Sequence, residues 1–268
     1  MKRPCGCMER RFKRMKLTSV SGVLLAYHEE AVIAATIARL QSQLDKITDH
    51  SEIVVVGFEG ANDRTNEIVR DLGQKDLRVR LVLQKREEKG YGRAFAIGIQ
   101  AARKDWIFQS DADGQYDFGD IGKLAALAAD DVAMVHGYRR HRQDPTERKL
   151  MAFCYNTALK TLFFIRLRDV DSAFKLIRRA SLSDIELASK SGFCVAEMVI
   201  QLRRKKRKIV QLPITHLPRV HGEALSEKSM DNPLGLQLPN FSLVFGTLGE
   251  MFRYRFRGNL WIATKLAF

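Results

Sequence analysis

The chain is poor in cysteine, with four in 268 residues, and that scarcity excludes a disulfide-stapled scaffold. Cys5 and Cys7 lie close together, but no second Cys/His pair follows at zinc-ligand spacing, so no structural zinc is expected. Long apolar runs are missing too. A spanning helix needs roughly 20 such residues, and the nearest candidate, Leu234 to Phe252, is broken by Gln237, Pro239, Asn240 and Glu250. The basic opening MKRPCGCMERRFKRMK is followed by no apolar signal core, which predicts a cytoplasmic chain. No internal repeat and no Gly/Ser-rich linker divides the sequence. Acidic residues are in deficit, 31 Asp and Glu against 45 Lys and Arg, leaving a net charge of +14. That surplus points to anionic partners: nucleic acid, anionic lipid or a phosphorylated substrate. A composition 46% hydrophobic and 28% charged belongs to neither a disordered tail nor an integral bundle.

What is present is an alternation of strand and helix. Val20 to Ala26 reads as a buried strand, and Ile33, Ile37, Leu40, Leu44 and Ile47 then mark one apolar helix face. Glu52 to Gly57 is a β-branched second strand, followed by a helix over Asn66 to Leu72 and a strand near Val79 to Leu83. Gly90 and Gly92 precede a helix through Ala101, and Trp106 to Ser110 is the next strand. Phe118, Ile121, Leu124 and Leu127 predict a further helix, Val132 to His136 a strand, and 146–164 a helix. The rhythm implies an α/β fold, a mostly parallel sheet with helices on both faces. Ligands in such folds bind beyond the carboxyl ends of the strands, here after Ala26, Gly57, Ser110 and His136.

The sharpest feature is Asp111-Ala112-Asp113-Gly114-Gln115, directly after a strand. Two carboxylates one residue apart on an exposed loop suit a hard divalent cation, Mg²⁺ or Mn²⁺, with Gln115 as a further oxygen donor. A polar turn with Gly114 at a positive backbone angle is the competing reading. Ala26-Tyr27-His28-Glu29-Glu30 ends the first strand, where the acids also suit a helix start and Tyr27 could stack on a base. The run Arg203 to Lys208 complements a helix end. Against nucleic acid, no helix-turn-helix, zinc finger or ribonucleoprotein motif is present.

Taken in collinear order, several segments resemble glycosyltransferase family 2, and within it the polyprenyl-phosphate (dolichyl-phosphate) glycosyltransferases. Leu25 to Glu29 resembles P-x-Y-N-E, Asp111 to Gln115 matches D-A-D-x-Q, and Arg86 to Gly98 resembles R-x-x-N-x-G-x-G-x-A-x-x-x-G. Gly137-Tyr138-Arg139, Arg168 to Lys175 (RDVDSAFK) and His216-Leu217-Pro218-Arg219 continue the likeness, which covers about Val20 to Gly222. The departures are His28 for asparagine in the first motif, Lys89 where asparagine is common, and Phe58 in place of an acid beside Glu59.

The resemblance implies a GT-A, Rossmann-like nucleotide-diphospho-sugar transferase domain over 19–225, flanked by a basic segment 1–18 and an amphipathic, basic tail 226–268. It implies a nucleotide-sugar donor and a polyprenyl (undecaprenyl or dolichyl) phosphate acceptor, with inversion at the anomeric carbon. Asp111, Asp113 and Gln115 would hold Mg²⁺ or Mn²⁺, and Asp113, Arg139 and Arg148 would carry the reaction. Ala26, Tyr27, Glu29, Glu59, Asp111, Ala112, Asp171, Lys175 and Arg219 would bind substrates, with Glu197 directed to the site and His216 sharing the H-x-P-R segment with Arg219. Arg148 on a solvated helix face and Asp171 as a backbone cap remain the alternatives. The basic ends suit an anionic membrane surface, a separate membrane protein being the alternative anchor. Transfer to a polysaccharide is the second reading, and a non-catalytic binder of nucleic acid or anionic surfaces the third.

Overall fold

Successive residues of the central strands divide between the two faces of one sheet, as a two-residue period requires. Leu24, Ile53, Val55 and Phe108 enter one apolar core, while Val23, Val54 and Ile107 enter a second on the opposite face. The computed structural model describes residues 16–140, 146–218 and 246–256, the side chains of 146–148 excepted. The chain runs β1 (Val20–Leu25), α1 (Ile33–Ile47), β2 (Ser51–Phe58), α2 (Thr65–Lys75), β3 (Val79–Gln84), α3 (Tyr91–Ala101) and β4 (Trp106–Asp111). It continues with α4 (Ile121–Ala125), β5 (Val132–Arg139), α5 (Thr146–Phe163), β6 (Lys175–Arg178), α6 (Phe193–Arg204) and β7 (Lys208–Ile214).

The sheet order is β3-β2-β1-β4-β6-β5-β7. β1 to β4 pair in parallel, as do β5 and β7, so the expected mostly parallel sheet is present. β6 is the exception, antiparallel to both β4 and β5. An antiparallel strand begins where its parallel neighbours end. The segment leading into β6 is therefore delivered to the carboxyl-end side, where the ligand site of such a sheet lies.

All five apolar positions of α1, Ile33, Ile37, Leu40, Leu44 and Ile47, are buried as the sequence spacing predicts. Gly98 lets α3 lie close on β1, since a Cβ there would stand 2.5 Å from Val23 Cγ1. Two local expectations need correction. The helix predicted over 118–127 is α-helical only over Ile121–Ala125 and opens with a 3₁₀ turn over Phe118–Asp120. Its three-residue apolar spacing is that of the tighter helix, and Asp117 caps the turn by accepting from the Gly119 amide at 2.9 Å. Gly92 does not precede α3 but lies in its first turn, where a Cβ would meet the Ser189 carbonyl at 2.2 Å. Residues 246–256, within the segment read as a tail, form a helix that packs on the domain. Met251 is fully buried there, and the Tyr254 ring lies 5.5 Å from that of Phe193 in α6.

Candidate functional site

Strand register sets the site. Leu25 aligns with both Val56 and Asp111, so Tyr27, Phe58 and Asp113 each lie two residues past a common level. The Ala112 amide donates to the Leu25 carbonyl at 3.2 Å, and its own carbonyl accepts from Thr36 Oγ1, also at 3.2 Å. These bonds draw the Asp111–Gln115 segment inward. The expected exposed loop is therefore corrected: Ala112 is buried and Asp113 only 8% exposed. Gly114 has φ of 74°, the left-handed turn conformation glycine adopts freely. Asp113 Oδ1 accepts from the Gln115 amide at 3.1 Å, so the turn and the paired carboxylates coexist.

Asp111 ends β4, and its Oδ1 accepts from the Tyr91 hydroxyl at 3.3 Å. Burial, and next the neighbouring Asp113 charge, push its carboxyl up to about 7. Two acids so placed fit a divalent cation, whose charge would offset both their desolvation and their mutual repulsion. Among the described residues no group of three or more His, Cys, Asp or Glu gathers for a metal. The donor set matches an ion that takes only one or two carboxylates from the protein and completes its shell with phosphate oxygens and water.

The opposite wall comes from β5 and the segment entering β6. Arg139 and Asp169 form a two-pronged ion pair, Nε to Oδ2 and Nη2 to Oδ1 both at 2.7 Å. The Arg139 amide also donates to Asp169 Oδ2, at 3.1 Å. Asp169 adopts a positive φ of 47°, and His136 Nε2 lies 3.0 and 3.1 Å from the Arg168 and Asp169 carbonyls. Burial holds the His136 imidazole down at about 3, so it is neutral and its Nε2–H donates to these carbonyls. The Val170 amide donates to Asn156 Oδ1 of α5 at 3.0 Å. This loop is anchored on β5 and α5.

Lys175 opens β6 and is fully buried, paired in register with Gln109 and His136. Among the described residues its Nζ has no hydrogen-bond partner. Burial lowers its pKa to about 8, against the opposing pull of Asp171, Asp169 and Asp111. At neutral pH the site thus holds a buried ammonium with no hydrogen-bond acceptor among the described residues, in the field of Asp171, Asp169 and Asp111.

The remaining candidates divide. Tyr27 and Ala26 line the end of β1, and the Glu29 amide donates to Thr65 Oγ1 at 2.9 Å, placing Glu29 at the start of α1. The Glu59 carboxylate accepts from the Arg86 amide at 3.4 Å. His216 pairs with Tyr116 in an isolated bridge, and the Leu217 amide donates to the Gln115 carbonyl at 2.7 Å, so this segment runs beside the acidic turn. Glu197, expected toward the site, instead accepts from the Ala188 and Ser189 amides at 3.1 and 2.9 Å. A buried carboxylate needs such donors. Arg219 and the Arg148 side chain lie outside the described residues. Sequence reasoning overlooked Tyr91, His136 and Asp169; the glycines flanking Tyr91 and the acid beside Asp171 were the available signals.

The profile of the family described as Glycosyl transferase family 2 matches residues 21–186, more than half of the chain. Among relatives is the undecaprenyl-phosphate 4-deoxy-4-formamido-L-arabinose transferase of Aeromonas hydrophila, 26% identical over 78% of this chain and 63% of its own. A dolichyl-phosphate hexose transferase of Haloferax volcanii is 27% identical over 74% of this chain and 82% of its own. The chain spans 63% and 51% of the lengths of two curated relatives it matches. In structure it is similar to glucosyl-3-phosphoglycerate synthase of Mycobacterium tuberculosis in complex with UDP. That TM-score is 0.61 at 21% identity, covering 85% of this chain and 80% of the other. The same synthase with Mn²⁺, UDP-glucose and phosphoglyceric acid superposes at a TM-score of 0.60 and 20% identity, covering 76% of this chain and 73% of the other. These likenesses establish the GT-A architecture.

Proposed function

The chain belongs to glycosyltransferase family 2, and from that premise we propose that it moves a sugar from a nucleotide-sugar donor to a polyprenyl phosphate. The observation that carries this reading is the buried Lys175 ammonium, which has no hydrogen-bond partner among the described residues and lies in the field of Asp171, Asp169 and Asp111. A buried ammonium with no hydrogen-bond acceptor is costly even with acids in its surroundings, and an entering phosphate would supply acceptors. Two relatives are named for undecaprenyl- and dolichyl-phosphate, which supports a lipid phosphate over a sugar hydroxyl.

The residues divide the work by position. Asp111 and Asp113, with Gln115, would hold Mg²⁺ or Mn²⁺; the ion, when bound, offsets the charge growing on the leaving diphosphate. Lys175 fixes the acceptor phosphate, and the Arg139–Asp169 pair holds the loop around it in one conformation. A phosphomonoester with a second pKa of about 6 is already largely dianionic at neutral pH. No strong base is then required, and neutral, hydrogen-bonded His136 is not placed to act as one. The acceptor oxygen attacks the anomeric carbon, the carbon–oxygen bond to the diphosphate breaks, and the nucleoside diphosphate leaves. One displacement inverts the centre.

Work on a membrane lipid calls for a membrane surface. No helix among the described residues is long and apolar enough to cross a membrane. The basic segment up to Lys16 and the exposed Phe252 and Phe256 of helix 246–256 support peripheral docking at the cytoplasmic face. The testing experiment incubates the chain with radiolabelled nucleotide-sugars, Mn²⁺ and either undecaprenyl or dolichyl phosphate, counting label extracted into organic solvent. Label in the lipid phase is the expected result. Label confined to water-soluble products would overturn the lipid acceptor and leave a soluble phosphate or a saccharide.

A further inference from the structure

The strap that leads into α6 is held by two glutamates from different helices. Glu197 Oε2 of α6 accepts from the Ala188 and Ser189 amides, and Glu250 of helix 246–256 accepts from the next two. The Lys190 amide donates to Glu250 Oε1 and the Ser191 amide to Oε2, both at 3.2 Å. The Ser191 hydroxyl adds a bond to Oε2 at 2.7 Å, and its oxygen accepts from the Phe193 amide at 3.2 Å. Four consecutive N–H groups thus face carboxylates. Helix 246–256 lies beyond residues 21–186, the span matched by the family profile.

The carbonyl side of the same strap holds α3. That helix has no side-chain cap at its N-terminus, so its first amides need partners from elsewhere. The Lys190 carbonyl accepts from the Gly92 amide at 2.9 Å. The approach is close enough to require glycine. A Cβ at Gly90, whose φ is 148°, would stand 2.5 Å from the Lys190 oxygen, and one at Gly92 would clash with the Ser189 and Ser191 oxygens. Tyr91 lies between these two glycines, and its hydroxyl donates to Asp111 Oδ1 at 3.3 Å. A displaced strap therefore moves the residue that orients Asp111.

We propose that Glu250 is a positioning residue for the acidic turn. Through the strap 188–191 it fixes the first turn of α3, and with it the Tyr91 hydroxyl that orients Asp111. The proposal rests on the reading of Asp111 and Asp113 as ligands of the cation. A ligand carboxylate held in one orientation keeps its oxygens aimed at the ion, and losing the group that holds it weakens metal binding about 10- to 100-fold. Glu250 acts at one remove, so its loss costs less than loss of the Tyr91 hydroxyl. Its effect also passes through that hydroxyl, so it disappears when the hydroxyl is gone. Helix 246–256, which presents Phe252 and Phe256 to solvent on one side, supports the site on the other.

The test is calorimetric titration of the full chain with Mn²⁺ alone, for the wild type, Tyr91→Phe, Glu250→Ala, Glu250→Gln and each Glu250 change combined with Tyr91→Phe. Tyr91→Phe is expected to weaken Mn²⁺ binding about tenfold. Glu250→Ala should weaken it about fivefold, and Glu250→Gln, which keeps one accepting oxygen, about twofold. In the Tyr91→Phe background neither Glu250 change should weaken it further, because both residues act through one contact. A general loss of stability would not depend on Tyr91 in that way. Equal losses in both backgrounds, or wild-type Mn²⁺ affinity in Glu250→Ala or Tyr91→Phe, would overturn the proposal and leave the acidic turn as the metal site. Should Glu250→Ala fail to fold, Glu250→Gln carries the same comparison. A wild type that binds no Mn²⁺ would overturn the metal reading and the proposal with it.

Discussion

Arg139 and Asp169, thirty residues apart in the chain, grip each other through two parallel hydrogen bonds of 2.7 Å with both side chains almost wholly buried. The family resemblance gives Arg139 a part in the reaction. In the fold its Nε and Nη2 are first engaged by Asp169, which makes the pair the clamp of the loop entering β6. Removing one member leaves a buried charge uncompensated, at a cost of about 3–5 kcal/mol. Asp169→Ala should therefore lower urea stability by that amount, and the double change Arg139→Met/Asp169→Leu should restore much of it. A loss below about 1 kcal/mol for Asp169→Ala would show that the pair is not structural.

Asp113→Asn tests the acidic turn. The change keeps volume and the bond from the Gln115 amide to Oδ1, but deletes the charge. Transfer should fall by about a hundredfold or more, Mn²⁺ binding measured by calorimetry should weaken, and the urea midpoint should stay near wild type. Undiminished turnover with unchanged Mn²⁺ dependence would remove this residue from the site.

Lys175 should oppose function to stability. Its pKa falls from 10.5 in the unfolded chain to about 8 in the fold. Between those values the unfolded state binds more protons, so stability rises with pH across the window, and the penalty is complete below pH 8. It amounts to about 3 kcal/mol at most at pH 7. Lys175→Met should thus unfold at higher urea than wild type at pH 7, with the difference closing above pH 10. The same variant should raise the KM for the lipid phosphate. Stability unchanged at both pH values would contradict a charged, unpartnered ammonium.

Membrane docking makes a prediction of its own. Seven cations within Lys2 to Lys16 face only Glu9, and each near an anionic leaflet contributes about 1 kcal/mol. The chain should sediment with phosphatidylglycerol vesicles at low salt and be released as salt screens the charges. Phe252→Ser/Phe256→Ser, at exposed positions with the rings stacked 6.4 Å apart, should reduce sedimentation further. Indifference to such vesicles at low ionic strength would favour a separate protein as the anchor.

Alone, the sequence determined the elements and their class. Helix α1 follows from a 3.6-residue apolar period and β2 from a β-branched run, both signals carried by neighbours in the chain. The acidic turn was equally legible, because its chemistry is packed into five consecutive residues. Tertiary structure decided the rest. That Asp113 is buried rather than exposed depends on Ala112 bonding back to Leu25 and Thr36, across 87 and 76 residues. That Lys175 is enclosed without a partner follows from β6 running antiparallel between β4 and β5, which the alternating pattern did not foretell. Phe58 and Lys89, each read as a lapse from a motif, become one cluster only when β2 and β3 align side by side. Local periodicity is written in each segment, whereas burial, pairing and charge compensation belong to residues that meet only after the sheet has formed.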